Sequence, residues 1–171
     1  MATIVRQLPF RSFESTLSLP SGETVKILHR QIVLWVSLSS PGQTQLTSSL
    51  PRFPAILDIG LNESFAISRE HFNRWSGLIE DELDPLEQVL MYDRRVVARE
   101  ADLWIYRNVP FARDDLLEAE PFHVEIDAGI LISPVANKPR LPLLGLRAFE
   151  SAGLQLLLDG VRQLVSIRSV L

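Results

Sequence analysis

Apolar and polar positions along this chain alternate mostly with a period of two, which is the period of side chains on a β-strand. The longest such stretch, residues 26–39, is rich in β-branched and aromatic side chains and predicts one long strand. Residues 53–57 are apolar throughout and predict a buried strand. The same reasoning predicts shorter strands at 64–68, 122–126, 130–132, 141–144, 155–160 and 161–168. The pattern is therefore typical of a mainly β protein.

Two places carry helix signals among these strands. Ser68 is a typical helix N-cap, and Gly77 stops the segment that follows it. Residues 147–152 predict a second short helix, which Gly153 ends. We therefore expect one or two short helices beside the strands.

A β-hairpin is predicted at residues 88–99, where two apolar arms flank a polar tip at 93–95. The acidic residues 81–85 that precede it predict a solvated loop. Residues 109–120 predict a loop or a short turn of helix, and 127–129 predict a turn. No internal repeat or linker interrupts the chain, and its 171 residues suit a single domain.

Composition and charge narrow the function classes. Hydrophobic residues make up 46% of the chain and charged residues 22%, which is ordinary for a globular protein. The net charge of −4 argues against nucleic acid as a partner. No apolar run approaches the length of a membrane span, and the first residues lack a charged-then-apolar signal region. We expect a cytoplasmic protein with no membrane partner.

Several common kinds of site are not indicated by the residues. The chain has no cysteine, which excludes disulfides, cysteine-zinc sites and a cysteine nucleophile. His29, His71 and His123 lie far apart without the spacing of metal ligands, so structural or surface roles are expected. Neither a Gly-x-Ser-x-Gly elbow nor a phosphate-binding glycine-rich loop occurs. We expect no metal and no cofactor.

One aspartate follows the predicted buried strand at 53–57 directly. Asp58 ends this apolar run, and Gly60 follows two residues later. A carboxylate at the mouth of a buried strand is costly unless it is hydrogen-bonded or takes part in chemistry, so Asp58 is a candidate site residue. The alternative is an aspartate that starts a turn, with Gly60 supplying a positive φ.

A second stretch, Leu143-Leu144-Gly145, leads into the helix predicted at 147–152. The two stretches together resemble the retropepsin-like aspartic proteases. The first, Asp58-Ile59-Gly60, resembles the Asp-Thr/Ser-Gly active-site loop of that family, and the second resembles the hydrophobic-hydrophobic-Gly segment that crosses under the loop. The resemblance covers residues 30–168. It implies a single domain over 1–171, with 1–29 as an N-terminal extension or interface segment.

The resemblance implies an all-β fold, namely a small closed barrel of the acid-protease type with one or two short helices. It places the flap that covers the substrate at the hairpin 88–99. The alternative is a solvated hairpin with basic residues at its turn. By their positions after the aspartate, Asn62 and Glu63 match family residues that contact the main chain of a peptide or protein substrate. The alternative for these two is that they are surface turn residues.

The resemblance also implies the chemistry. Hydrolysis of a peptide bond by an aspartic protease needs two adjacent carboxylates that share one proton, one acting as base on a water and the other as acid. The chain supplies one such Asp-x-Gly, so Asp58 is expected to meet Asp58 of a second copy in a homodimer. In the family the chain termini form an interface sheet, a role that the strand predicted at 161–168 could fill.

Ile59 departs from the family pattern, because it lacks the hydroxyl of Thr or Ser that bonds across the dimer. Three functions stay open. The first is an active aspartic endopeptidase. The second is a catalytically weak or inactive retropepsin-like dimer that acts as a peptide-binding or scaffolding module. The third is a barrel that binds a small ligand. A second carboxylate at bonding distance from Asp58 would distinguish the first.

Overall fold

The computed structural model describes residues 1–112, 117 and 120–170. The chain is mostly β, with 44% of it in strands. In chain order, strands β1 to β14 span Ala2–Pro9, Ser15–Ser18, Thr24–Ile27, Val33–Ser39, Phe53–Leu57, Phe65–Ser68, Pro85–Met91, Arg94–Arg99, Asp102–Ile105, Phe122–Val124, Ile130–Ser133, Leu143–Leu144, Leu154–Asp159 and Leu164–Ser169. Within the described residues there are two α-helices, α1 at Arg69–Trp75 and α2 at Leu146–Ser151, and a 3-10 turn at Glu80–Glu82. The mainly β class and the short helices are therefore confirmed.

The strands form three sheets. The largest has the order β10-β9-β4-β5-β12-β6-β11-β8-β7, the second has the order β1-β14-β13, and β2 pairs with β3. Strands β10 and β7 end the largest sheet and are not paired with each other, so within the described residues this sheet is open. The closed barrel predicted from the sequence is not found in these ladders.

The short strand β12 gives the largest sheet its mixed character. It runs parallel to β5, with Leu144 opposite Leu57, and antiparallel to β6, with Leu144 opposite Phe65. Strand β11 also runs parallel to β6. A late segment of the chain is thereby inserted between two early strands, which places it directly beside the end of β5.

The main core lies against the largest sheet and is dominated by aromatic side chains. Phe53, Phe65 and Phe72 are completely buried. The ring centroids of Phe53 and Phe65 are 6.5 Å apart, and those of Phe53 and Trp75 are 6.2 Å apart. These contacts attach helix α1 to the strand that carries Asp58 at its end.

The prediction of one long strand at 26–39 is wrong. The chain forms β3 and β4 there, and β3 pairs with β2 instead of joining the large sheet. Arg30 has a φ of 59°, which no strand residue adopts, and Gln31 donates a backbone hydrogen bond to Leu28 over 3.3 Å. This local turn between the two strands has no glycine or proline to signal it.

Both predicted helices form. The side chain of Ser68 accepts a hydrogen bond from the backbone N–H of His71, which confirms it as the N-cap of α1. Gly77 has a φ of +71° shortly after the helix, and Gly153 has a φ of +58° shortly after α2. These positive values are easy for glycine and explain why both helices stop where the sequence indicates.

The predicted hairpin is present but longer than expected. Strand β7 begins at Pro85, inside the segment predicted as a loop, and pairs with β8. The turn lies at Tyr92 and Asp93, with φ values of 51° and 59°, rather than at 93–95. Two consecutive left-handed residues match the right-handed twist of the flanking strands, so a tight turn forms without glycine.

The predicted tail strand at 161–168 is shifted to β14, and Val161 lies in the turn before it. Strand β14 pairs with β1 on one side and β13 on the other. It therefore has no free edge for a partner, and the edges of this sheet are β1 and β13. Of the segment predicted as a loop at 109–120, residues 113–116 and 118–119 lie outside the described residues. No helix in the described part of the chain is long and apolar enough to cross a membrane.

Candidate functional site

Asp58 lies at the end of β5, where the buried strand opens to the surface, and its side chain is half-buried. The backbone N–H of Gly60 donates to Asp58 Oδ1 over 2.9 Å, and the N–H of Leu61 donates to the Asp58 carbonyl oxygen over 3.1 Å. Gly60 does not have a positive φ, so the turn interpretation of this glycine is wrong on that point. A Cβ atom at Gly60 would lie 3.2 Å from Asp58 Oδ1, a tight contact on the carboxylate.

The segment 142–146 crosses the inside of the Asp58 loop and is hydrogen-bonded to it along its length. The N–H of Asp58 donates to the Leu144 carbonyl oxygen over 2.9 Å. The N–H of Gly145 donates to the carbonyl oxygen of Ser64 over 3.0 Å, and that of Leu146 donates to Leu61 over 3.2 Å. Backbone groups on both sides of the crossing are thus satisfied, and the loop is held in one geometry.

Gly145 is the position where the two segments come closest. A Cβ atom there would overlap the carbonyl oxygen of Glu63 and would lie 2.8 Å from that of Leu61. Both are backbone atoms, which cannot move aside without breaking the crossing. The sequence motif Leu143-Leu144-Gly145 therefore has a steric reason in this fold.

Ile59, between the aspartate and the glycine, points outward. Its side chain is 62% exposed in the single chain, which is unusual for an isoleucine beside a buried strand. Ser64 lies on the same loop and is completely buried, and its hydroxyl has no hydrogen-bond partner within the described residues. The loop thus presents an apolar side chain outward and carries a buried hydroxyl inside.

The hairpin β7–β8 contacts this loop through Leu61. Val96 and Ala98 of the hairpin form a small buried cluster with Ala66 and Leu131, and the partly buried Leu61 packs against it. Burial raises the pKa of the Tyr92 phenol at the tip, and the negative charge of Asp58 raises it further. The Asp58 charge thus acts on the hairpin tip, which is the region predicted as a flap at 88–99.

The loop that precedes β12 meets the hairpin tip. Lys138 Nζ lies 5.8 Å from the centroid of the Tyr92 ring, within the range of a cation–π interaction. Tyr92 is 39% exposed, so the contact lies at the surface. The structure therefore brings two loops, from different parts of the chain, together beside Asp58, a contact that no sequence signal indicated.

Asn62 and Glu63, predicted to contact substrate, face two adjoining cavities. Asn62 is exposed and lines a cavity of about 680 Å³, and the half-buried Glu63 lines one of about 300 Å³ beside the base of the hairpin. Arg147 lines both cavities, and its Nη1 atom lies 4.0 Å from Glu63 Oε2. Both predicted residues are therefore available to a ligand at the surface.

Sequence reasoning missed Arg147, Asp127 and Ser151, which complete the wall of these cavities. Arg147 Nε lies 3.8 Å from Asp127 Oδ1, and the Ser151 hydroxyl donates to the same oxygen over 2.8 Å. The hydrogen bond from Ser151 is the main reason why the pKa of Asp127 lies below its usual value. The three residues come from a turn and a helix far apart in the chain, so no local motif could have found them.

The histidines have structural surroundings. The rings of His71 and Trp75 are stacked with centroids 3.9 Å apart, and His123 Nε2 lies 2.8 Å from Asp102 Oδ2. Within the described residues, no group of three or more His, Asp or Glu side chains is placed to hold a metal ion. Within the described residues, the Asp58 carboxylate accepts a hydrogen bond from the backbone N–H of Gly60. It forms no hydrogen bond there with a second carboxyl group.

No protein-family model, curated protein or solved structure matches this chain.

Proposed function

We propose that this chain is an aspartic endopeptidase of the retropepsin-like type, acting as a homodimer in which two Asp58 carboxylates activate one water. The crossing of the Asp58 loop by Leu144 and Gly145 carries the proposal. It combines an aspartate at the end of a buried strand, a glycine N–H that donates to Asp58 Oδ1, and a glycine that admits the crossing segment. An aspartate that only starts a turn can also accept the bond from Gly60, but it does not need the crossing segment or the close approach at Gly145.

The proposed reaction needs two carboxylates with different protonation. Two Asp58 side chains close together cannot both ionise, so the pair shares one proton and titrates as a unit. The ionised member takes a proton from water, which attacks the peptide carbonyl carbon, and the protonated member donates to the carbonyl oxygen. The N–H of Gly60, already 2.9 Å from Asp58 Oδ1, holds the carboxylate in its orientation during these transfers.

Three further features support the same reading. The hairpin β7–β8 contacts the Asp58 loop through Leu61, which is consistent with a flap beside the site. Strand β12 between β5 and β6 supports the proposed acid-protease type of fold over residues 30–168. In the sheet β1-β14-β13, the edge strand β13 is available to a second copy. Strand β14 is paired on both sides, and the backbone of Arg6 in β1 is already hydrogen-bonded to the Asn108 side chain.

The direct test is incubation of the chain with a peptide library at mildly acid pH. We expect cleavage by the parent chain and none by Asp58→Asn, which keeps the shape but cannot act as a base. Asp84→Asn is the matched control, because Asp84 is an exposed aspartate before β7 and lines none of the site's cavities. Cleavage that persists in Asp58→Asn would contradict the proposal.

The dimer is tested separately by sedimentation over a concentration series. We expect a two-fold dimer, because the chain supplies one Asp-x-Gly and the mechanism needs two. A chain that stays monomeric and still cleaves peptides through Asp58 would contradict this part of the proposal.

The second candidate is a retropepsin-like dimer that binds extended peptides without cleaving them. Ile59 favours it, since an apolar side chain 62% exposed stands where a hydroxyl would bond to the partner. Peptide binding that is equal in the parent chain and in Asp58→Asn, with no cleavage by either, would establish this candidate over the first.

A further inference from the structure

The cavity of about 300 Å³ beside the hairpin combines an apolar wall with a charged end. Leu86 and Val89 of β7 form one side, and Ala98 of β8 lies next to them. Glu63, Glu87 and Asp127 supply three carboxylates, and Arg147 supplies a single guanidinium. The side chains that line this cavity therefore carry a net negative charge of two at neutral pH.

The guanidinium of Arg147 forms no hydrogen bond with the carboxylates of Glu63 and Asp127. It lies 4.0 Å from the nearest oxygen of Glu63 and 3.8 Å from that of Asp127, which is beyond hydrogen-bond length in both cases. Arg147 is itself 44% exposed, so water screens both contacts. The carboxylate oxygens thus retain acceptor capacity for a donor that enters the cavity.

We propose that this cavity is a specificity subsite that takes an arginine or lysine side chain of the peptide, with Glu63 and Glu87 as the residues that select it. The inference rests on the proposed function, which makes an extended peptide the ligand of the neighbouring Asp58 loop. Long basic side chains place apolar methylene groups against Leu86 and Val89 while the charged head reaches the carboxylates. An acidic side chain would instead meet the net negative charge.

The position of the cavity fits a peptide that already lies along the site. Glu63 belongs to the loop that begins at Asp58, and Val89 and Ala98 belong to the hairpin that contacts that loop through Leu61. The larger cavity of about 680 Å³ shares Asp127 and Arg147 and adds Asn62 and Glu150, so the acidic groove continues past the first cavity.

The test measures binding rather than cleavage, so that it does not depend on catalysis. Short extended peptides that carry one arginine, scanned through an otherwise uncharged sequence, are titrated against Asp58→Asn by calorimetry. Each peptide is paired with the same sequence carrying citrulline, which has the shape of arginine without its charge. For the best register we expect roughly tenfold tighter binding of the arginine peptide, a difference that shrinks at high salt.

Two variants assign the selectivity to the cavity. Glu63→Gln and Glu87→Gln, each in the Asp58→Asn chain, should reduce the preference for arginine over citrulline, and Glu87→Gln should leave binding of the citrulline peptide unaffected. Glu87 is exposed on the hairpin, so its variant keeps the test valid if Glu63→Gln folds poorly. Glu82→Gln, on the exposed 3-10 turn, is the matched control because Glu82 lines neither cavity, and it should retain the full preference.

Equal binding of arginine and citrulline peptides, binding of neither, or a preference that survives both variants would overturn the inference. Failure of the peptidase proposal looks different. If the parent chain cleaves no peptide but the arginine preference is present, the result supports the subsite and contradicts the catalytic role. If the parent chain cleaves peptides equally well with and without basic residues, the result contradicts the subsite and supports the catalytic role.

Discussion

The backbone N–H of Asp58 donates a hydrogen bond of 2.9 Å to the carbonyl oxygen of Leu144, which joins the end of β5 to a strand near the other end of the chain. This bond fixes the position of the candidate catalytic residue from a segment that carries no charged group of its own. Strand β12 is only two residues long, so the geometry of Asp58 depends on a small number of backbone contacts. Perturbing the crossing should therefore affect both stability and the site.

Gly145→Ala is expected to destabilise the chain by about 3 kcal/mol, because the added Cβ overlaps the carbonyl oxygen of Glu63 and strains the crossing. The measurement is the free energy of unfolding from urea titration. Gly160→Ala is the matched control, since nothing lies within 4 Å of a Cβ there, and it should change stability by no more than about 0.5 kcal/mol. Equal stabilities of the two variants would show that the crossing is not tightly packed.

Ile59→Thr is expected to tighten the proposed dimer and raise any cleavage rate. The side chain is 62% exposed in the single chain, so the substitution removes little burial within it. Each restored hydroxyl can form a hydrogen bond worth about 0.5–1.5 kcal/mol, and the two-fold axis makes two of them. A gain of about 1.4 kcal/mol would lower the dimer dissociation constant tenfold.

Ile59→Val is the control for this experiment, because it keeps the branched shape and adds no hydroxyl. Sedimentation gives the dissociation constant, and a peptide assay under the same conditions gives the rate. A weaker dimer without faster cleavage would indicate packing around Ile59 that Thr disrupts, which favours the non-catalytic candidate.

Lys138→Met is expected to loosen the tip of the hairpin, because it removes the cation that lies 5.8 Å from the Tyr92 ring. At an exposed site this interaction is worth about 0.5–1 kcal/mol, which corresponds to roughly two- to fivefold faster amide exchange. The measurement is hydrogen exchange over β7 and β8. Lys26→Met, which breaks the exposed contact of Lys26 with Glu14 instead, should leave exchange in the hairpin unchanged.

The same hairpin is expected to become more protected when an extended peptide binds to Asp58→Asn, as a flap over the cleft should. Hydrogen exchange with and without peptide measures this directly. If peptide binding protects other parts of the surface but not the hairpin, the hairpin is not the flap.

The free energy of unfolding is expected to decrease as the pH is lowered, because His71 takes up a proton more readily in the unfolded chain. Burial is the main cause that lowers the pKa of this imidazole, the positive charge of Arg74 lowers it further, Glu70 and Glu23 oppose the shift, and Arg140 adds to it. The folded chain therefore binds the proton more weakly than the unfolded chain. The stabilisation is complete above the ordinary value of 6.5 and is lost as the pH falls from there toward the lowered folded pKa.

Urea titrations between about pH 5 and pH 7 measure this slope, which for one proton is at most about 1.4 kcal/mol per pH unit. His71→Phe keeps an aromatic ring on Trp75 and should flatten the slope, while the exposed His29→Gln should not. The pKa values of Glu14 and Asp127 are also lowered, from ordinary values of 4.5 and 3.8. These two groups therefore change their contribution to stability below this pH range. An unchanged slope in His71→Phe would assign the effect to another group.

Two serines, Ser64 just before β6 and Ser68 at its end, should respond in opposite ways to replacement by alanine. Ser68 accepts the N–H of His71 at the start of α1, and its loss should cost about 1 kcal/mol. The Ser64 hydroxyl is buried without a partner within the described residues, so Ser64→Ala should be neutral or stabilising. A large cost for Ser64→Ala in the thermal midpoint would reveal a bond to that hydroxyl in solution.

Much of the local structure could be predicted from the sequence. The apolar run of β5, the N-cap Ser68 and the helix-ending Gly77 each act through neighbouring residues, so their patterns are readable in a short window. The limits of β3 and β4 could not be read in this way, because Arg30 adopts a left-handed conformation that its residue type does not signal.

The arrangement of the site was decided by the tertiary structure. The bond from Asp58 to Leu144, the contact of Lys138 with Tyr92 and the placement of Arg147 between Glu63 and Asp127 each join residues far apart in the chain. Such contacts depend on which strands become neighbours, and that choice reflects the packing of the whole core rather than any local preference. The sequence thus determined that an aspartate would stand at the end of a buried strand, and only the fold decided which side chains surround it.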